Sequence, residues 1–156
     1  MEPPQRNSGH KGGTFLSRGK VQMDTGKDGE KKPFAPEDIV VGSIVKIRSH
    51  RFIVHDADEM TYRFMEENPN QFRYSNLNIT IGQLKHKLEV LSKLILTTPG
   101  LKNKAAKYED LDTLFTRAGC NVMKQEAVTM LRHLDPQRRG QVKMTQVLKF
   151  LMGNAP

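Results

Sequence analysis

Asp56, Asp58 and Glu59 put three carboxylates within four positions, the residue types that a metal site or an acid–base pair would need. Their setting argues for a structural role. Before them, Phe52, Val54 and Asp56 alternate with Ile53 and His55, the period-two pattern of a strand. After them runs EMTYRFMEENP, a short helical stretch that Pro69 ends by forcing Asn68 out of helical geometry. Asp58 therefore stands where an N-cap accepts backbone N–H groups, and Glu59 complements the positive helix end. The other chemically active residues are no better arranged. His10, His50, His55, His86 and His133 have no paired ligand spacing. Cys120 follows Gly119 away from any activating base, which suits a structural thiol. Gly12-Gly13 precedes neither a clear strand nor a helix, so it forms no phosphate loop. No catalytic residue is expected.

A second constellation is the 12-residue segment Asp135 to Gln146, which has Gly140 at its sixth position and Val142 at its eighth. Those are the places where a calcium-binding EF-hand loop turns sharply and bridges to a partner loop. Pro99 to Asp110 offers a matching 12-residue connection upstream. The donors are wrong for the ion, which takes a cluster of oxygens including several carboxylates. Asp135 is first and Gln137 third, but Arg139 is fifth, Gln141 seventh and Gln146 twelfth. Arg138, Arg139 and Lys143 outweigh Asp135 and make the segment cationic. The upstream segment has Pro99, Leu101 and Asn103 at its first, third and fifth positions, with Lys102, Lys104 and Lys107 inside it. Both loops are expected to be metal-free relics, and no cofactor is expected.

Helices must flank such loops. From Thr80, Ile81, Leu84, Leu88, Leu91 and Ile95 fall at helical spacing, with Thr80 as cap and Pro99-Gly100 as stop. A second helix is predicted near Asp110 to Ala118, burying Leu111, Leu114 and Phe115 and ending at Gly119. A third runs from about Met123 to Leu134 with Ala127, Met130, Leu131 and Leu134 inward. A fourth, near Thr145 to Met152, buries Val147, Leu148 and Leu151. Upstream, Met60, Phe64 and Met65 are expected to form the apolar stripe of the short helix. The organisation is thus a mobile or extended segment 1–33, a hairpin-and-helix unit 34–72, a linker 73–79 and a four-helix unit 80–153. The fold class is α+β. A lone hairpin is marginal in water, so residues 34–76 should gain order from a partner surface.

The formal net charge is +8 and is unevenly placed. Residues 77–156 carry 13 Lys and Arg against 6 Asp and Glu, whereas residues 34–76 carry 5 against 7. Basic surface favours acidic partners without choosing among them. Lys102, Lys104 and Lys107 are the densest basic feature, with Lys85 and Lys87 nearby, and they are the candidate partner contacts. Nucleic acid is disfavoured: there is no tryptophan, and the basic residues are not interleaved with aromatics as a single-strand groove requires. No apolar run approaches membrane-spanning length, MEPPQRNSG is unlike a signal peptide, and one cysteine fits a reducing compartment. A soluble, intracellular protein is expected.

Several separated clusters resemble one known module. Phe34, Pro36-Glu37-Asp38, Val41-Gly42, His50-Arg51-Phe52, Asp56-Ala57-Asp58-Glu59 and Met65-Glu66-Glu67-Asn68-Pro69 are similar to the second half of a DM-ten module. Asn7-Ser8-Gly9 and Thr14-Phe15-Leu16 through Gly19-Lys20-Val21 resemble its middle. The helical half, LDTLFTRAGCN to RHLDPQRRGQV, resembles the centre of a calmodulin-like EF-hand pair. The family joining both is the EF-hand domain-containing, or myoclonin, group of axonemal proteins. A complete module needs more strands than the six residues before Asn7 can supply, so the resemblance implies a chain that starts inside the last such module. It also implies a non-enzymatic structural protein of ciliary doublet microtubules, in cytoplasm, cytoskeleton and axoneme. Its partners would then be tubulin and neighbouring axonemal proteins, with no small-molecule substrate. The alternative is a calcium-responsive EF-hand regulator working from Asp135.

Overall fold

The computed structural model describes residues 18–24 and 31–153. Asn7-Ser8-Gly9, Thr14-Phe15-Leu16, His10 and Gly12-Gly13 lie outside the described residues. Residues 1–34 and 35–156 are two compact units. In the first, β1 (Gln22–Asp24) pairs antiparallel with β2 (Lys31–Pro33), Gln22 opposite Pro33. The Phe34 N–H closes that ladder on the Val21 carbonyl at 2.9 Å. Gln22–Asp24 and Lys31–Pro33 are thus extended and paired.

The second unit is α+β. It opens with a 3-10 turn, Pro36–Asp38, whose Asp38 carboxylate accepts the Ala35 N–H at 2.9 Å. Next, β3 (Ile44–Ile47) pairs antiparallel with β4 (His50–Ile53) across a two-residue turn, with Ile44 opposite Ile53. Helix α1 (Glu59–Glu67) starts as its sequence requires, the Asp58 carboxylate accepting the Thr61 N–H at 2.7 Å. Its buried face agrees with the expected one at Met65 and differs at Met60 and Phe64. Tyr62 and Met65 are buried, whereas Phe64 is exposed and Met60 is 83% exposed. The face that turns inward is chosen by what α1 meets on another helix, which its own periodicity does not contain.

The helical half has five helices where four were expected: α2 (Leu77–Lys85), α3 (Leu88–Thr97), α4 (Tyr108–Arg117), α5 (Lys124–Leu134) and α6 (Met144–Gly153). The stripe from Ile81 to Ile95 is broken at His86-Lys87, so that α2 packs on α5 and α3 on α6. Neither Gly nor Pro marks that break. Thr80 is not a cap: it is fully buried in α2, and the cap is Asn76, whose Oδ1 accepts from Asn78 and Ile79 N–H. Residues 73–79 are not a spacer either. Arg73–Ser75 form a 3-10 turn against α5, and Leu77 opens α2. The expected apolar residues of α4 and α6 agree with the structure. Leu111, Leu114 and Phe115 are buried in α4, which stops at Gly119 with φ +75, and Val147, Leu148 and Leu151 are buried in α6.

One core joins these five helices, with Leu84, Leu91, Ile95, Phe115, Met130 and Leu151 fully enclosed. Two smaller clusters lie beside this core: Val40, Met65 and Phe72, with Met123 at the start of α5 packed against them, and Val41, Tyr62 and Val128, the last of these on α5. Residues Gln125 to Arg132 are consequently all buried. Helix α5 faces the helical core on one side and α1, Val41 and the Arg73–Ser75 turn on the other. The Val41 N–H donates to Gln125 Oε1 at 3.0 Å, and the Gln125 N–H donates back to the Val41 carbonyl at 3.1 Å. The segment that leads into the hairpin is thus held by this chain's own α5, whereas no residue of β3 or β4 is buried.

Candidate functional site: the loop pair, its lysines and the arginine clamp

The two 12-residue connections meet as their spacing requires. β5 (Ala105–Ala106) pairs antiparallel with β6 (Val142–Lys143), and Ala106 lies opposite Val142. Ala106 and Val142 are the eighth residues of their segments, so the bridge joins equivalent positions. Gly140 takes φ +78, and its N–H donates to Asp135 Oδ2 at 2.7 Å, closing the second loop from its first to its sixth residue.

The oxygens a divalent ion would need are committed elsewhere or missing. Gln146, where a bidentate carboxylate belongs, accepts the Lys143 N–H through Oε1 at 3.1 Å. Asp110, last in the first loop, accepts Lys104 Nζ at 2.7 Å and the Lys107 N–H at 3.0 Å. The Lys104 bond, then the Lys107 amide, hold this carboxyl below its usual range. Among the described residues no three His, Cys, Asp or Glu side chains converge as metal ligands. With Arg139 at the fifth position, the donor set does not fit calcium.

The candidate lysines fall into two groups. Lys102, Lys104 and Lys107 are exposed along the first loop, and Lys104 is the member tied to Asp110. Lys85 and Lys87 lie at the break before α3, Lys85 half-buried and Lys87 exposed. The ten residues of α3 separate the groups by about 15 Å along the helix axis. Burial pushes the Cys120 thiol up, and the Lys87 charge offsets part of that rise. Cys120 is therefore held as a thiol, not poised as a nucleophile.

The acidic corner does more than cap a helix. Asp56 accepts the Tyr62 hydroxyl at 2.7 Å and the Ala57 N–H at 2.9 Å, which pins the strand-to-helix turn. Glu59 and Glu66, seven residues apart on one face of α1, grip Arg132 of α5. Arg132 Nη1 and Nη2 donate to Glu59 at 2.6 and 3.2 Å, and Nε and Nη2 donate to Glu66 at 2.6 and 3.2 Å. The guanidinium lies 4.7 Å from the centre of the Tyr62 ring, and only 9% of its side chain is exposed. Its hydrogen bonds hold the Glu59 carboxyl down to about 2. A fork of donors matched to two carboxylates and stacked on an aromatic face is a geometry that lysine cannot reproduce.

Sequence reasoning missed Arg132. The available signal was a carboxylate pair at i, i+7 on α1 and an arginine on the Gln125–Val128 side of α5, but nothing local links elements 73 residues apart. The other motif residues are distributed as follows. Met65 is buried, Asn68 ends α1 with its side-chain amide donating to the Phe64 carbonyl at 2.8 Å, and Glu67 is exposed. Arg51 and Phe52 lie exposed on β4. Pro69 lines, with Glu66, Asn76, Arg132, His133 and Arg138, an open cleft of about 530 Å³ beside the clamp. No helix among the described residues is long and apolar enough to cross a membrane.

Residues 1–61 match the DM10 domain family. The mouse protein named EF-hand domain-containing family member C2 is 31% identical over 141 residues, covering 85% of this chain and 19% of its own length. Its zebrafish counterpart is 28% identical over 156 residues, 95% of this chain and 21% of its own length. Human EF-hand domain-containing protein 1 is 38% identical over 72 residues, 46% of this chain and 11% of its own length. The chain spans about a fifth of the length of the first two of these curated relatives.

Proposed function

Because this chain is a homologue of the EF-hand domain-containing proteins and carries a DM10 match, we propose that it is a non-enzymatic structural protein that binds and reinforces microtubules. In this reading it lines ciliary doublet microtubules, in cytoplasm, cytoskeleton and axoneme, and contacts tubulin and neighbouring axonemal proteins. Its EF-hand-like pair is a fixed adaptor that takes no calcium, and it acts on no small-molecule substrate.

The observation that carries this reading is the arginine clamp. Together with the Val41–Gln125 bonds, it fixes the hairpin and α1 on the helical half, so residues 35–153 present one surface instead of two jointed ones. A protein that acts by fitting onto a polymer needs that geometry. The basic first loop supplies the complement to an acidic filament surface.

Co-sedimentation with microtubules tests the contact. Lys104 stays unchanged, because reversing it would set like charges against Asp110. Lys102→Glu with Lys107→Glu is expected to weaken the apparent affinity about tenfold at low salt, and less as salt rises. Equal pelleting by parent and variant would remove these lysines from the interface. Failure of the parent to pellet would end the filament reading.

A further inference from the structure

The second loop is closed by the Asp135–Gly140 bond and the Ala106–Val142 bridge although its donors do not suit the ion, and one residue stands at its entrance. Arg138 is the fourth residue of the loop and takes φ +54, a left-handed backbone that a side chain adopts only when its surroundings impose it. Its Nη1 donates to the carbonyl of Arg132, at the end of α5, and to the carbonyl of Asp135 at 3.2 Å. Its Nε reaches Glu59 Oε1 of α1 at 3.5 Å. A single cation thereby gathers two backbone oxygens and a carboxylate around the entrance of the loop. Beneath it, the Asp135–Gly140 bond and the Ala106–Val142 bridge are both intact.

We propose that Arg138 is a built-in cation that replaces calcium as the closing element, so that the loop pair is held shut at any calcium concentration. The side chain does by hydrogen bonds what an ion does by coordination: it neutralises the carbonyl dipoles at the end of α5 and ties the loop to its entering helix. Glu59, which also holds Arg132, links this closure to α1. The assignment deepens the calcium-free adaptor of the proposed function, but it is decided by exchange at the loop, whereas binding to the filament is decided by co-sedimentation.

Amide hydrogen exchange on the full chain tests it at Gly140 and Val142. Arg138→Gly separates two accounts of the residue by sign. If φ +54 is merely strained, glycine relieves it and both amides exchange at the parent rate or slower. If the guanidinium holds the loop, both amides exchange faster, on the order of tenfold, while the Leu114 and Phe115 amides keep their protection. Arg138→Gln, neutral and of similar reach, should behave likewise, and millimolar calcium should restore neither variant nor change the parent. Parent-like or slower exchange in both variants overturns the assignment. So does a calcium-dependent change at Gly140 in the parent. Loss of core protection in both variants also overturns it, since Arg138 would then support the whole fold instead of the loop.

Discussion

Replacing Arg132 with alanine is expected to lower the stability of the 35–153 unit by about 2–3 kcal/mol, seen as a fall of roughly 1–2 M in the urea midpoint. The side chain is nearly enclosed, donates four hydrogen bonds to two carboxylates and lies over Tyr62. Its removal takes the counter-charge from Glu59 and Glu66 and leaves a gap against the ring. Arg132→Met keeps most of the apolar stem and should lose about half as much. Arg132→Lys keeps the charge but not the fork, and belongs with alanine if geometry matters more than charge.

The pH profile distinguishes the clamp from simple packing. Glu59 has its carboxyl lowered from an ordinary 4.5 to about 2, so its contribution is complete above 4.5 and disappears as pH falls through 2. The parent should lose stability through that acid window, and Arg132→Ala should lose less of it. The limb will not vanish, because Asp58 and Asp110 are also lowered, by the Thr61 amide and by Lys104 respectively. Glu126 acts in the opposite direction. Burial raises its carboxyl, so mild acid that protonates it favours the folded chain. Parallel acid limbs in parent and variant would mean that Arg132 works by volume alone.

What was legible in the sequence is what local stereochemistry decides. Asp58 before a helical run, Gly119 after one and Gly140 at the sixth position of a loop each act on backbone groups within five residues. The 3.6-residue stripes of α4 and α6 had one side to bury and buried it, whereas α5 buries its stripe and its polar side as well. The misreadings share a cause in distant partners. Met60 and Phe64 fit a stripe with Met65 as well as Tyr62 does, and it is Val128 and Arg132 of α5 that draw Tyr62 inward. Ile81 to Ile95 has the period of one helix, yet it breaks between α2, which packs chiefly on α5, and α3, which packs chiefly on α6. Thr80 has the chemistry of a cap but is enclosed in α2, where its hydroxyl reaches Glu126 at 3.3 Å. The candidate site divides in the same way. The degenerate loops were readable position by position, whereas the clamp was not, since nothing in the sequence around Glu59 and Glu66 pairs them with an arginine more than sixty residues away.

The second large effect is expected at Gly42, one of the residues on which the family resemblance rests. Gly42 has φ +91, and a Cβ built there would stand 3.0 Å from Lys124 Cβ, with Cγ and Cδ at 3.2 and 3.3 Å. Gly42→Ala therefore meets two penalties, a left-handed backbone and the first residue of α5 in the way. Together they should cost about 2–3 kcal/mol. The disturbance falls on the neighbouring bonds, Gly42 N–H to the Val54 carbonyl at 2.8 Å and the reciprocal pair between Val41 and Gln125. Lys124→Ala removes Cγ and Cδ but leaves the Cβ and the backbone angle alone. A double-mutant cycle then separates the penalties: coupling of about 0.5–1 kcal/mol assigns that share to crowding against α5, and the remainder to φ. If Gly42→Ala is as stable as the parent, the hairpin can lift from α5 without loss. The junction would then be a loose contact, and neither Arg132 nor Gln125 could be fixing one half of the unit on the other.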